Sequence, residues 1–151
     1  MIEPKDLRIG DFVRVSRDRS TIPQGTICKV VGIDDALSFP DNFNGCVSLL
    51  ELDREKGDTP TGMWCKDIEG IPITKEFLIK NGFKEFRHRV EEEGYEWYIY
   101  ENEINCTEVR YYPISKKYLV SYDGIVLYEI FFVHELQNFI SALKEDIEIT
   151  I

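Results

Sequence analysis

The segment "FFVHELQNFISAL", residues 131–143, places His134, Gln137, Asn138 and Ser141 within one arc of a helical wheel. A histidine and a serine on one face invite a reading as base and nucleophile, because imidazole titrates near neutrality and can take a proton from a hydroxyl within hydrogen-bond reach. Seven residues of helix separate the two, about 10 Å along the axis, so His134 cannot activate Ser141 within that helix. No catalytic residue is assigned. A solvated helix face ordinarily carries Lys and Glu, and an uncharged stripe predicts partial burial instead. His134, Gln137, Asn138 and Ser141 are therefore candidate interaction residues, covered by the rest of the chain or by a protein partner.

Other residue types capable of chemistry are scattered. His88 in "KEFRHRV" stands between Arg87 and Arg89 and reads as a solvated strand residue. With two histidines, no H-x-x-x-H spacing and no C-x-x-C pair, nothing matches the ligand spacing of a zinc site. The run Glu91, Glu92, Glu93 lacks the ligand order of a calcium loop and reads as a solvated turn. Phosphate-binding glycine loops, nucleophile elbows and H-E-x-x-H are absent, so neither metal nor cofactor is expected.

Two basic clusters support an alternative. Arg14, Arg17 and Arg19 in "RVSRDRS", or Lys84, Arg87 and Arg89, could hold phosphates while Trp97, Tyr98, Tyr100, Tyr111 and Tyr112 stack bases. The simpler reading makes those aromatics cross-strand pairs of an antiparallel sheet. Charge favours the simpler reading. The net charge of −10 is spread over both halves, with nine basic against thirteen acidic residues in 1–72 and nine against fifteen in 73–151. Such a field repels phosphate backbones, and a nucleic-acid partner is disfavoured.

The 151 residues, 43% hydrophobic and 13% aromatic, suit a globular chain that buries a core without staples. Cys28, Cys46, Cys65 and Cys106 sit in apolar, strand-like contexts where a thiol behaves as a small hydrophobe, and reduced cysteines fit the cytoplasm. The opening "MIEPKDLRIGDF" has no secretory pattern, and no apolar run approaches the roughly 18 residues of a membrane helix.

These residues need elements to position them. "DFVRVS", "GTICKVVGID", "CVSLLELD" and "MWCKDIEGIPI" read as four strands, crowded into about seventy residues. That density predicts a small antiparallel barrel over 1–72. In "ITKEFLIKNGF", Thr74 can cap a helix, Ile73 and Leu78 occupy its staple positions, and Gly82 with Phe83 supplies the stop. Strands are then expected near 83–90, 95–101, 105–112, 116–122 and 125–131, the last two joined by an Asp-Gly hairpin turn in "YDGI". Val133, Leu136, Phe139, Ile140 and Leu143 fall within an arc of about 120°, so a helix over 133–145 should pack on one sheet face. "IEITI" alternates like a short terminal strand. The fold class expected is α+β: a barrel, then over 73–151 a helix, a four- or five-stranded antiparallel sheet and a C-terminal helix.

Three stretches, "LRIGDFVRV", "IPITKEFLIKNGF" and "FVHELQNFISAL", resemble in order and spacing a family of uncharacterised small bacterial proteins found in prophage-like or mobile regions. The first, followed by "GTICKVVGI", also resembles the opening of SH3-like barrels in translation, transcription and Tudor-like modules. These resemblances imply an architecture and a genomic setting and no mechanism. A non-catalytic binding or interaction protein is the function expected.

Overall fold

The computed structural model describes residues 2, 4–18, 21–34, 45–52, 59–90, 96–102, 107–123, 125–143 and 149–151, with residues 4, 87–90, 126 and 127 described by backbone alone. The fold is mixed α+β, mostly sheet, and divides into two compact units, Met1–Ile71 and Pro72–Ile151.

The first unit is a five-stranded antiparallel sheet of β1 (Phe12–Val15), β2 (Ile27–Asp34), β3 (Cys46–Glu51), β4 (Thr61–Trp64) and β5 (Ile68–Gly70), in the order β4-β3-β2-β1-β5. The segment expected to form one strand, "MWCKDIEGIPI", is broken. A 3-10 turn at Cys65–Asp67 carries the chain from β4 at one edge to β5 at the other, where β5 pairs with β1. Unbroken, the segment would have stayed at one edge. The described residues give an open strand order and no closed barrel.

Period-two alternation turns Val13, Val15, Cys28, Val30, Val47, Leu49 and Met63 into a common core with Leu7, Ile22, Cys65 and Ile68. The bend before β1 explains "RIGD". Asp11, 3% exposed, accepts the Arg8 amide N–H on Oδ2 at 2.7 Å, and its own N–H donates to Arg8 O at 3.1 Å. Gly10 holds φ at +107°, a left-handed conformation that glycine adopts without Cβ strain, and its N–H donates to Val30 O at 2.8 Å.

The second unit begins with α1 (Lys75–Lys80), which opens as its sequence expects. Thr74 Oγ1 accepts the Phe77 N–H at 3.1 Å, Leu78 is fully buried, and Gly82 at φ +80° ends the helix before the buried Phe83. Asn81 then exchanges two hydrogen bonds with the backbone of Thr150: its Nδ2 donates to the carbonyl at 2.9 Å and its Oδ1 accepts the N–H at 2.7 Å. Residues 149–151 thus pair with a side chain and form no strand, contrary to the reading of "IEITI", whose first two residues lie outside the described set.

Five antiparallel strands follow in sequential order: β6 (Phe83–Val90), β7 (Glu96–Asn102), β8 (Thr107–Tyr112), β9 (Lys117–Tyr122) and β10 (Ile125–Ile130). Tyr122 pairs with Ile125 around the two-residue turn, where Asp123 has φ +49° as a primed turn requires. Both edge strands carry a register shift, between Glu85 and Arg87 in β6 and between Val126 and Tyr128 in β10, which disfavours pairing with a further strand.

The last helix, α2, runs Val133–Ala142. Both helices lie over one sheet face. Lys75 of α1 reaches Glu85 at 2.7 Å and stands over the Tyr98 ring at 5.6 Å, while Phe139 of α2 meets Tyr128 edge-on at 5.7 Å. Val133, Leu136, Phe139 and Ile140 are buried, as their arc requires.

Candidate binding site

Antiparallel register builds the floor of a pocket in the second unit. β8 and β9 pair Tyr112 with Lys117, so residues 113–116 form a four-residue turn and Tyr111 falls directly opposite Tyr118. Their rings stack with centroids 4.6 Å apart and planes 23° from parallel. Tyr98, opposite Tyr111 on β7, extends the row at 6.3 Å. Three adjacent strands therefore present one aromatic ladder, worth more than the buried area alone.

The walls come from the two segments that enter the helices. Ile73 N–H donates to Phe131 O at 3.2 Å, and Pro72 bridges Phe132. Phe132 occupies the cap position of α2 but has no side-chain acceptor. Glu135 supplies the missing half by reaching back, its Oε2 accepting the N–H of Phe131 at 2.6 Å and of Phe132 at 3.0 Å. The same carboxylate that starts the helix thus fixes the backbone of both pocket phenylalanines.

Pro72, Ile73, Phe131 and Phe132 stand around Tyr111 and Tyr118 and, with Lys116, line an open depression of about 370 Å³. That is the scale of a small-molecule or single-side-chain site. Among the described residues of this lining Lys116 alone is charged, and its backbone takes φ +54° in the turn. Burial, and then the neighbouring Tyr111, push the Tyr118 hydroxyl up to about 12, so it remains a neutral donor at physiological pH.

A titration consequence follows. Because Tyr118 in the folded protein keeps its proton above the ordinary tyrosine value of 10.0, the folded state holds more protons than the unfolded state between pH 10 and about 12. Its stabilising contribution is complete below that window and is lost as pH rises through it. Phenolate absorbance should show a late-titrating tyrosine that Tyr118→Phe removes and denaturant abolishes. Tyr98 and Tyr100 are also raised, so the decisive reading is the amplitude: a late component undiminished by the substitution would exclude this assignment.

The stripe read from the sequence divides. His134 is buried and stacks on Phe132, centroids 5.7 Å apart and planes 9° from parallel. Gln137 and Asn138 are half-buried and Ser141 is exposed. His134 thus backs one wall of the pocket, while Ser141 lies away in solvent, and the two are not brought together. Arg14 and Arg17 belong to the other unit. Arg14 lies opposite Glu69 on β5 and contacts its Oε1 at 2.8 Å, and Arg17 stands 4.0 Å from the buried Asp67. Arg19 lies outside the described residues, as do Glu91, Glu92, Glu93 and Cys106, and the side chains of Arg87, His88 and Arg89 are not described. Of the aromatic set, Tyr98 and Tyr111 do pair across strands, whereas Trp97 and Tyr112 sit at alternating positions on the opposite face.

Cys28, Cys46 and Cys65 are free thiols. Burial, followed by proximity to Cys46, pushes Cys65 up to about 11, and burial with the charge of Asp34 raises Cys46, so neither is poised as a thiolate nucleophile. Among the described residues no three His, Cys, Asp or Glu side chains gather as a metal site, and no helix is long and apolar enough to cross a membrane.

Sequence reasoning missed Tyr118, Lys116, Phe131, Phe132, Pro72 and Ile73 as neighbours. The signal was present in "YYPISKKY": a four-residue turn after Tyr112 sets Tyr118 against Tyr111. No family model, curated protein or solved structure matches the chain.

Proposed function

We propose that the protein is a non-catalytic binding protein whose ligand site is the tyrosine-floored pocket of the second unit. The pocket itself carries this reading: about 370 Å³ with a tyrosine floor and apolar walls, held by backbone hydrogen bonds and the Glu135 cap. His134 adds to it by serving as a stacked support for Phe132, out of reach of Ser141. In the first unit, the order β4-β3-β2-β1-β5 with a 3-10 turn before β5 supports an SH3-like module. Both fit a small cytoplasmic protein of a bacterial prophage or other mobile element, working through binding to a partner. The nucleic-acid alternative draws less support, since Arg14 and Arg17 face carboxylates.

The uncharged fluorophore N-phenyl-1-naphthylamine tests the site. Saturable binding to the whole protein is expected, weakened roughly tenfold by Phe131→Ala, a loss of about 1.4 kcal/mol. Phe131 is half exposed, and its truncation leaves the backbone hydrogen bonds in place. Ile79→Ala, also at an exposed position, should bind like the native protein. Equal binding by all three proteins would refute the assignment of the site, and substrate turnover abolished by His134→Ala would refute the non-catalytic reading.

A further inference from the structure

We infer that the pocket takes an aromatic or aliphatic group bearing a single carboxylate, the apolar part lying on Tyr111 and Tyr118 and the carboxylate meeting Lys116. The inference rests on the pocket being a ligand site and adds the chemistry that the ligand must have.

Its apolar half follows from the lining. Stacked Tyr111 and Tyr118 offer ring faces, and Phe131 and Phe132 offer hydrocarbon on the walls. A hydrophilic ligand would leave these surfaces in contact with polar groups and gain little from entering. A planar or branched apolar group buries itself against them and gains stacking geometry as well.

Its anionic half follows from how the cations of this unit are matched. Lys75 has Glu85 at 2.7 Å, Lys117 has Glu129 at 3.1 Å and Arg110 has Glu108 at 3.2 Å. Lys80 and Lys116 have no such carboxylate among the described residues, and of the two it is Lys116, adjacent in sequence to Lys117, that lines the pocket. The charge also occupies a backbone position at φ +54°, where Gly or Asn fits with less steric cost. Tyr118 keeps its proton and supplies a neutral O–H donor on the same floor, which suits a carboxylate oxygen.

One cation limits the ligand to one negative charge. The chain carries a net charge of −10, and its field is screened beyond roughly 8–10 Å at physiological ionic strength. A monocarboxylate with an apolar body can pair with Lys116 at short range. A phosphate ester or nucleic acid would bring further charge into an acidic surface without matching cations, and is disfavoured.

The probes are 3-phenylpropionate and its primary amide, and a short glycine peptide ending in phenylalanine with either a free or an amidated C-terminus. Each is titrated against the whole protein and against Lys116→Asn. Asparagine removes the charge and tolerates the left-handed backbone, so the variant should fold at least as well as the native chain. The acid is expected to bind roughly fivefold tighter than the matching amide, with the difference shrinking as salt is raised and disappearing in Lys116→Asn. A stronger preference within the peptide pair assigns the carboxylate to a chain terminus, and one within the small-molecule pair to a free acid. Either result supports the inference. Acid and amide binding alike, while N-phenyl-1-naphthylamine still binds, would overturn the inference and leave the pocket as a site for neutral ligands. A preference that persists in Lys116→Asn would overturn it too. If the neutral fluorophore also fails to bind, the proposed function falls with it.

Discussion

Leu136→Ala is expected to cost the protein about 2–5 kcal/mol of stability, while Ser141→Ala changes it by no more than about 0.5 kcal/mol. Leu136 is fully buried on the apolar arc of α2, beside the buried Val133, Phe139 and Ile140. Removing its isobutyl group forfeits transfer free energy and leaves a cavity that neighbouring side chains fill only in part. Ser141 lies on the exposed side, where water replaces whatever the hydroxyl touched. Between these limits, Gln137→Ala combined with Asn138→Ala should cost about 1 kcal/mol, as expected for half-buried groups that exchange modest hydrogen bonds for water. Denaturant midpoints at constant slope would measure all three. If the double variant proved as stable as native protein, the middle of the stripe would be energetically a solvated face. A Leu136 variant of native stability would refute the packing of α2 on the sheet.

The second large effect belongs to Asp11. Asp11→Ala is expected to destabilise the first unit by about 2 kcal/mol, because the part-buried Arg8 amide loses the charged acceptor that holds the bend. The carboxylate accepts the Arg8 N–H at 2.7 Å inside the bend that also joins Gly10 N–H to Val30 O. Asp11→Asn keeps an acceptor oxygen at nearly the same place and should recover part of the loss. Amide hydrogen exchange offers a local reading. Protection at Arg8 should fall in the alanine variant and return toward the native level in the asparagine variant, whereas equal protection in all three would show that the Asp11 carboxylate does not hold the bend.

These two sites differ in how plainly the sequence announced them. The α2 core was legible because a helix repeats at 100° per residue, and Val133, Leu136, Phe139 and Ile140 satisfy that repeat without reference to distant chain. The start and stop of α1 were legible for the same local reason, since Thr74 caps its own helix and Gly82 supplies its own left-handed residue. The two-residue turn at Asp123 belongs with them. In contrast, nothing within "RIGD" reveals that Asp11 is buried, because its burial depends on Val30 of the neighbouring strand.

Long-range pairing decided the rest. Strand propensity runs without a break through "MWCKDIEGIPI", yet β4 pairs with β3 and β5 with β1 at opposite edges of the sheet, and the 3-10 turn is what that geometry demands. The stripe of α2 was visible as an uncharged arc, but its division into a buried His134 and an exposed Ser141 depends on what covers the first turn and leaves the last one open. The pocket shows the limit most clearly. Tyr111 and Tyr118 are set facing each other by register, and Phe131 is brought to Ile73 by a hydrogen bond across 58 residues of chain. Periodicity and capping report only interactions within a few residues. By itself the sequence determined the element types, the apolar faces and the acidic character of this protein. Which edge each strand occupies, and which aromatics and which lysine share one cavity, were decided by the tertiary structure, because distant segments bury their surfaces only against one another.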